Sequence, residues 1–387
     1  MTQTNNVPRL RFPGFSEDWG IKKLSDITRR ISDGIHTTPK YDDRGVYYFI
    51  NGNNFVANRV NISESTRTVS REEYIKYKKD LDENTILMSI NGTIGSLARY
   101  NNEPVILGKS ACYINICDEI NREYIYNFLK TYRVKTYFNS ELSGSTIKNL
   151  SIKTIKNTSV PVPDISEQKK IADFLTAIDD KITIIDKNIE LLKKYKKSIT
   201  QKLFMHQLRF KNENGSNYPS WENNKLGEIS SIKKGVQLNK ENMVKDGRYP
   251  VLNGGKGYSG YTNKFNTTAR TITISEGGNS CGYVSFVNED FWSGGHLYTI
   301  NTKINKNYVY HYLKFKQNLI MELRVGSGLP NIQKKDLEKL RVNIPSTHEQ
   351  RKIANFLTSI DHKIELKINE LELTKKLKKA LLQQLFI

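Results

Sequence analysis

The sequence is poor in the residues that carry most enzyme and metal chemistry. Its three cysteines, Cys112, Cys117 and Cys281, are an odd number without CxxC or His-x3-His spacing. That argues against a disulfide framework and against a zinc site, and the three read as small buried hydrophobes. None of the six histidines, His36, His206, His296, His311, His348 and His362, stands at a metal or catalytic spacing with cysteine or carboxylate. There is no Walker loop, no G-x-S-x-G elbow and no Asn-Pro-Pro-aromatic motif of the base-methylating enzymes. No apolar run approaches the roughly 20 residues needed to span a bilayer. Met1 to Pro8 has neither the basic nor the apolar stretch of a secretory signal, so residence in the cytoplasm is the default expectation. These absences point to a binding protein with no catalytic residues and no metal of its own.

Acidic residues are also short: 60 Lys and Arg against 40 Asp and Glu leave a formal charge of +20. A charge of that size needs a polyanion or a negatively charged surface, and on charge alone RNA stays open beside DNA. The lysines are spread along the chain instead of gathering on one amphipathic anchor, which favours nucleic acid over a membrane.

What the sequence has is an internal repeat. Glu167 to Ile182 (EQKKIADFLTAIDDKI) recurs as Glu349 to Ile364 (EQRKIANFLTSIDHKI), with about three quarters of positions identical. The likeness runs on to Lys193–Lys197 against Lys375–Lys379 and to Leu203-Phe204 against Leu385-Phe386. The starts match more faintly: Leu10-Arg11-Phe12, Trp19 and Lys23-Leu24 against Leu208-Arg209-Phe210, Trp221 and Lys225-Leu226. Between these anchors the copies diverge, the first insert being longer by about 20 residues.

The copied part is helical. Ile171, Leu175, Ile178, Ile182, Ile185, Ile189, Leu192, Ile199 and Leu203 step by threes and fours, broken only at Lys196, and Ile353, Leu357, Ile360 and Ile364 begin the same seam. Ser166 and Thr347 are the expected N-caps, with Glu167 and Glu349 in the first turn where the helix dipole favours negative charge. Each helix of about 38 residues would be about 57 Å long. The two are expected to pair with each other or with partner helices. The divergent inserts carry strand segments such as Thr85–Ile90, Ala111–Ile116, Thr271–Ile274 and His296–Ile300, and amphipathic helices at Tyr124–Phe138 and Tyr308–Leu323. Because Leu208-Arg209-Phe210 directly follows the first long helix, its twin Leu10-Arg11-Phe12 should pack beside the end of the second. The expected fold is α+β: two β-rich modules alternating with two long helices in an antiparallel coiled coil, with circular pseudo-two-fold symmetry. Its segments are 1–14, a module at 15–165, a helix at 166–206, a module at 207–347 and a helix at 348–387.

Two motifs have bland readings. Gly255 to Gly260 fits G-x-G-x-x-G, but no helix opens after it, and a hairpin loop or a loop against a nucleic acid backbone suits it better. Pro163-Asp164 with Glu167-Gln168-Lys169 superficially resembles a nuclease cluster, yet the second copy has Pro345-Ser346 and no acid there. Gly144–Leu150 parallels Gly326–Ile332, and Leu107–Ser110 parallels Ser293–His296; these are turn chemistry or places where backbone amides meet phosphate.

Two unlike modules alternating with two near-identical helices, each entered near Pro163 or Pro345 through Glu-Gln-[Lys/Arg]-Lys-Ile-Ala-x-Phe-Leu, resemble the DNA-specificity subunit of type I restriction-modification enzymes. Leu10–Phe15 with Trp19, and Asp33–Tyr41, are also similar to members of that family. The resemblance covers essentially the whole chain. It implies a non-catalytic subunit in which each module is a target-recognition domain for one half of a split, asymmetric site on double-stranded DNA, while the helices set the gap. It further implies two adenine methyltransferase subunits and restriction (translocase) subunits as partners. S-adenosylmethionine, ATP and Mg2+ would then belong to those partners, with no cofactor bound by this chain. Expected base contacts are His36, Thr37, Thr38, Lys40, Asn51, Asn53, Asn54, Asn91 and Thr93 in the first module, and Gln237, Asn253, Lys256, Tyr258, Asn279 and His296 in the second. Expected phosphate contacts are Lys109, Lys148, Lys233, Lys234, Lys334 and Lys335. The rival reading is a coiled-coil scaffolding protein with non-specific nucleic-acid binding, which explains the seam but not two unlike modules on one frame.

Overall fold

The computed structural model describes residues 7–144, 148–326, 328 and 330–387. The chain forms two compact units, Met1–Ile185 with Glu370–Ile387, and Asp186–Asn369. Their borders fall inside the two long helices, Ile165–Phe204 and Thr347–Gln384, so each unit takes part of both.

In the first unit a six-stranded sheet has the order Thr28–Asp33, Ala111–Ile116, Thr85–Ser89, Leu97–Arg99, Arg59–Val60, Phe55–Val56. Ala111–Ile116 and Thr85–Ser89 are buried throughout. Their alternate residues enter different cores. Ile86, Met88, Cys112 and Ile114 join the cluster that includes Ile171 and Leu175 of the first long helix. Leu87, Ala111 and Tyr113 join the cluster with Ile50, Val105 and Leu107 of a second, three-stranded sheet. The period-2 side-chain alternation of a strand thus glues helices to one face and a small sheet to the other. The second unit repeats this with a four-stranded sheet, Ser230–Lys234, Leu297–Thr302, Thr271–Ser275, Val284–Val287, and a three-stranded sheet, Gly260–Thr262, Tyr249–Leu252, Trp292–Ser293.

The two amphipathic helices of the inserts are each broken in two: Arg122–Phe128 and Tyr132–Ser140 in the first unit, Lys306–Phe315 and Gln317–Glu322 in the second. In the first unit the break is local capping chemistry, since the Thr131 side chain accepts from the N–H of Val134 and restarts the helix.

The long helices start one residue before Ser166, at Ile165, and at Thr347 itself. Asp164 accepts from the N–H of Ser166 at 2.8 Å, and Ser346 accepts from the N–H of Glu349 at 3.4 Å, so Asp164 and Ser346 are the caps and Ser166 and Thr347 lie inside the first turn. In each unit the helix segments run antiparallel. Asp179 meets Lys378 and Lys181 lies 3.7 Å from Glu370 in the first; Lys196 meets Asp361 in the second, where Leu203 shares a core with Ile353 and Leu357. Lys196, the break in the seam, is a partly buried ion pair, and Lys378 with Asp179 is its copy.

The circular likeness is visible bond by bond. Leu10 donates its N–H to the carbonyl of Gln384 at 2.9 Å, and Leu208 donates to that of Lys202 at 3.1 Å. Phe386 packs on Tyr124 and Phe128, as Phe204 packs on Tyr308 and Tyr312. Glu167 is buried beneath the chain start: Arg11 donates to both its oxygens at 2.8 Å, and Trp19 Nε1 donates at 3.1 Å. Glu349 takes Arg209 at 3.1 and 2.7 Å and Trp221 Nε1 at 3.0 Å. In both cases the buried carboxylate raises the arginine pKa above its ordinary value. Gln168 and Gln350 follow, each accepting from a backbone N–H, of Asn121 or Asn305, and donating to the carbonyl of Pro163 or Pro345. This clamp fastens the module and the long helix to the segment that opens each unit, 10–19 in the first and 208–221 in the second.

Candidate nucleic-acid interface

The clamp lies on the copied frame; the divergent loops open elsewhere. In the first unit a groove of about 740 Å³ is lined by Asp33, His36, Asn51, Asn91, Lys109, Ser110 and Asn149, among others. Two glycines let its walls approach. A Cβ at Gly34 would stand 2.0 Å from the carbonyl oxygen of Leu107, and one at Gly108 would stand 2.3 Å from Asn51 Oδ1. Ser110 Oγ donates to Asn51 Oδ1 at 2.9 Å, fixing that amide. His36 Nε2 lies 2.8 Å from Asp33 Oδ2, with the imidazole largely exposed.

The second unit builds the same scaffold. Gly34 and Gly235 donate to the carbonyls of Ala111 and Leu297 at 3.0 and 2.8 Å. A Cβ at Gly294 would lie 2.3 Å from Asn253 Oδ1, as at Gly108 and Asn51. The N–H of Ile90 bonds the carbonyl of Ser110 and that of Glu276 the carbonyl of His296; Leu150 and Ile332 return bonds to Ile90 and Glu276. Ser143 pairs with Asn149, and Val325 with Asn331, beside glycines with φ +93° (Gly144) and +97° (Gly326). The described ends of the two parallel motifs therefore hold the same places in both scaffolds. Ser145, Thr146, Ile147, Ser327 and Leu329 lie outside the described residues.

Of the expected base contacts, the structure brings His36, Asn51 and Asn91 into one groove with Lys109. Thr38, Asn53 and Thr93 are exposed near it in sequence but not among its lining residues. Thr37 is exposed, and Lys40 is exposed with its backbone N–H on Glu73. Asn54 spends its side chain on its own turn, accepting from the Asn51 N–H and donating to the Asn61 carbonyl at 3.0 Å each. In the second unit Gln237, Asn253 and His296 converge around Gly294 and Gly295. Lys256 and Tyr258 stand on the hairpin loop between Tyr249–Leu252 and Gly260–Thr262, so the G-x-G-x-x-G run is a β-hairpin. Tyr258 donates to Glu289 at 2.7 Å, and burial with that carboxylate pushes its pKa up to about 12. Asn279 is exposed on the 278–280 turn.

Among the phosphate candidates Lys109, Lys148, Lys233 and Lys335 are exposed. Lys334 lies 3.5 Å from Glu338, and Lys234 donates to Glu276 at 2.6 Å. Asp33 and Glu276 were not anticipated. Asp33 is the last residue of a strand paired with the distant Ala111–Ile116, Glu276 follows a strand paired with Val284–Val287 and Leu297–Thr302, and no local spacing marks either acid. His311 is buried, 3.1 Å from Thr358 Oγ1, and burial lowers its pKa to about 3. Cys112 and Cys281 are buried free thiols, whereas Cys117 is only partly buried. No group of residues that could hold a metal ion occurs among the described residues, and no helix there is long and apolar enough to cross a membrane.

Comparison with known proteins places these features in context. The family model described as "Type I restriction modification DNA specificity domain" matches residues 16–194 and 219–376. A Mycoplasma pneumoniae protein named for type I specificity is 37% identical over 173 residues, 43% of this chain and 46% of that relative, so the match spans about half its length. The type I restriction enzyme MjaVIII specificity subunit of Methanocaldococcus jannaschii is 26% identical over 413 residues, 97% of this chain and 93% of the relative. The crystal structure of a type I restriction-modification S subunit from M. genitalium covers 98% of this chain and 99% of its own, with a TM-score of 0.69 at 23% identity.

Proposed function

The chain belongs to the DNA-specificity family of type I restriction-modification systems, and on that premise we propose that its two units each read one half of a split, asymmetric duplex target. The chain is a non-catalytic subunit, and the observation that carries the reading is one scaffold built twice with unlike loops. Asn51 and Asn253 hold the same place against Gly108 and Gly294, but the neighbours differ: His36 with Asp33 in the first unit, Gln237 with Glu276 and His296 in the second. Equal scaffolds with unequal donors and acceptors suit two different base sequences. In the first unit the base contacts are His36, Asn51 and Asn91; in the second they are Gln237, Asn253 and His296. Lys109, Lys148, Lys233 and Lys335 meet phosphates, which carry affinity rather than sequence.

The helices set the gap and dock partner subunits. Helices of 40 and 38 residues are about 60 and 57 Å long, long enough to separate half-sites one DNA turn, about 34 Å, apart. The docking role is supported by large hydrophobics left exposed on the copied helices: Ile184, Leu373 and Leu377 in the first unit, Leu366, Leu191 and Tyr195 in the second. Each of these has its twin at the matching position of the other helix, as expected for two copies of one partner. The proposed partners are two adenine methyltransferase subunits, which would bring S-adenosylmethionine, and the ATP- and Mg2+-dependent restriction subunits.

The test is to insert one heptad, seven residues or about 10 Å, in register in both long helices and to read the methylated motif in cells expressing the system. The gap is expected to lengthen by about three base pairs at 3.4 Å each, with both half-sites unchanged. An unchanged gap, or altered half-sites, would refute the ruler.

A further inference from the structure

Glu276 stands where the two copies of the scaffold differ in chemistry, since the first copy has Ile90 there. It follows the strand Thr271–Ser275, and its backbone makes the two bonds that Ile90 makes in the first unit. The position is therefore fixed and only the side chain has changed. Its carboxylate is held from one side: Oε1 accepts from Lys234 Nζ at 2.6 Å and from the Tyr298 hydroxyl at 3.2 Å. Oε2 accepts no hydrogen bond among the described residues, and the exposed His296 ring lies 3.6 Å away from it. With its side chain 12% exposed, the group is immobilised but not sealed.

We propose that Glu276 is a specificity-determining residue that selects cytosine at one position of the half-site read by the second unit, an inference that rests on the reading of the loops around Gly294 and His296 as DNA-facing. An ionised carboxylate only accepts hydrogen bonds. In the major groove guanine shows the acceptors N7 and O6, thymine shows O4, and adenine sets N7 beside its N6 amine; cytosine alone shows a donor, N4, with no acceptor on its own edge. Oε2 therefore repels guanine and thymine, meets a mixed edge on adenine, and finds a partner on cytosine. Lys234 and Tyr298 have two further effects. They fix the carboxylate by charge-assisted and neutral hydrogen bonds, and the ammonium offsets a negative charge that would otherwise face phosphates. Ile90, at the same place in the first unit, offers no acceptor, so the two units select by different rules at one scaffold position.

The test uses the full chain assembled with its methyltransferase partner and a randomised duplex pool, with the bound sequences read out. Glu276→Gln, whose amide donates as well as accepts, is expected to relax one position from cytosine toward adenine, the cytosine preference falling roughly 5- to 100-fold while every other position is kept. Glu276→Asp keeps the charge on a shorter arm, so cytosine stays preferred with weaker binding; this variant decides the matter if the amide unsettles Lys234. Lys109→Ala and Lys335→Ala probe the DNA-facing reading itself and are expected to weaken binding to all sequences. If they do so while Glu276→Gln leaves every base preference intact, or lowers binding to all sequences alike, the role of Glu276 is overturned and the DNA-facing reading stands. Loss of cytosine preference in Glu276→Asp overturns it as well. Lysine variants that bind like the parent remove the DNA-facing reading itself.

Discussion

Truncating Glu349 to alanine removes the centre of the second unit's clamp. Three hydrogen bonds go at once, two from Arg209 and one from Trp221 Nε1. Among the described residues the guanidinium keeps only the carbonyl of Pro219 as a hydrogen-bond acceptor, at 2.8 Å, and the indole N–H keeps none. Breaking a buried ion pair from one side costs about 3–5 kcal/mol. Arg209 is 27% exposed, so water recovers part of its loss and the lower end applies, about 3 kcal/mol. Because the chain holds two units, one global unfolding energy is ill-defined, and amide hydrogen exchange resolved by segment is the suitable assay. Peptides covering Lys306–Phe315 should exchange about 150-fold faster, since about 1.4 kcal/mol is tenfold. Peptides covering Arg122–Phe128, in the unit whose Glu167 clamp is intact, should be unchanged. The double variant Arg209→Met, Glu349→Met should recover to within about 1 kcal/mol of the parent, because apolar replacement of a whole buried pair is often neutral. Acceleration below about fivefold in the single variant, or a double variant as labile as the single, would refute the claim that the clamp holds the module to the helix.

Other expectations follow from the same geometry. Lys109→Ala should lower the slope of log affinity against log salt by about 0.9 and leave base preference alone; an unchanged slope would remove Lys109 from the phosphate set. Gly294→Ala places a Cβ 2.3 Å from Asn253 Oδ1, so it should degrade reading of the second half-site while the first is retained, measured by methylation of targets altered in one half at a time. Acid should loosen the second unit through His311. Its folded pKa, about 3, lies below the ordinary value of about 6.5, so its contribution is complete above about pH 6.5 and is lost toward pH 3, at about 1.4 kcal/mol per pH unit. His311→Asn, the residue that Asn127 supplies in the first unit, should flatten that acid limb in hydrogen exchange at pH 5 to 7, and an unaltered limb would show that His311 is not its source.

Repetition made the frame legible from sequence, because a heptad seam and a copied motif state their period directly. The packing of Leu10-Arg11-Phe12 against the end of the second long helix followed from chain order alone, and Leu10 bonds Gln384. Local chemistry was less legible. Asp164 and Ser346 cap in place of Ser166 and Thr347 because several good caps stand in a row and only the backbone path selects among them. Glu167 and Glu349 sit in the first turn as their charge suggests, yet they are buried beneath an arginine and a tryptophan far away in sequence, 156 residues for Arg11 and Glu167 and 140 for Arg209 and Glu349. Lys196 breaks the seam by spacing and completes it by pairing with Asp361. At the candidate interface, residue type pointed to His36, Asn51 and Asn253. It could not show that Asn54 is consumed by its own turn, or that Lys234 is tied to a carboxylate entering from another strand.

The borrowing of helix segments sets an order of assembly during synthesis. Residues 186–369 form one continuous stretch, while the unit begun first is closed by residues 370–387. On a ribosome adding about 5–20 residues per second, the later-made unit has all its parts while the earlier one still waits for Leu381, Leu385 and Phe386 to cover its core. The first module made is thus the last to be finished, and it stays exposed to proteases and chaperones for longer. Damage to the final turns of the second helix should accordingly injure the module at the opposite end of the sequence.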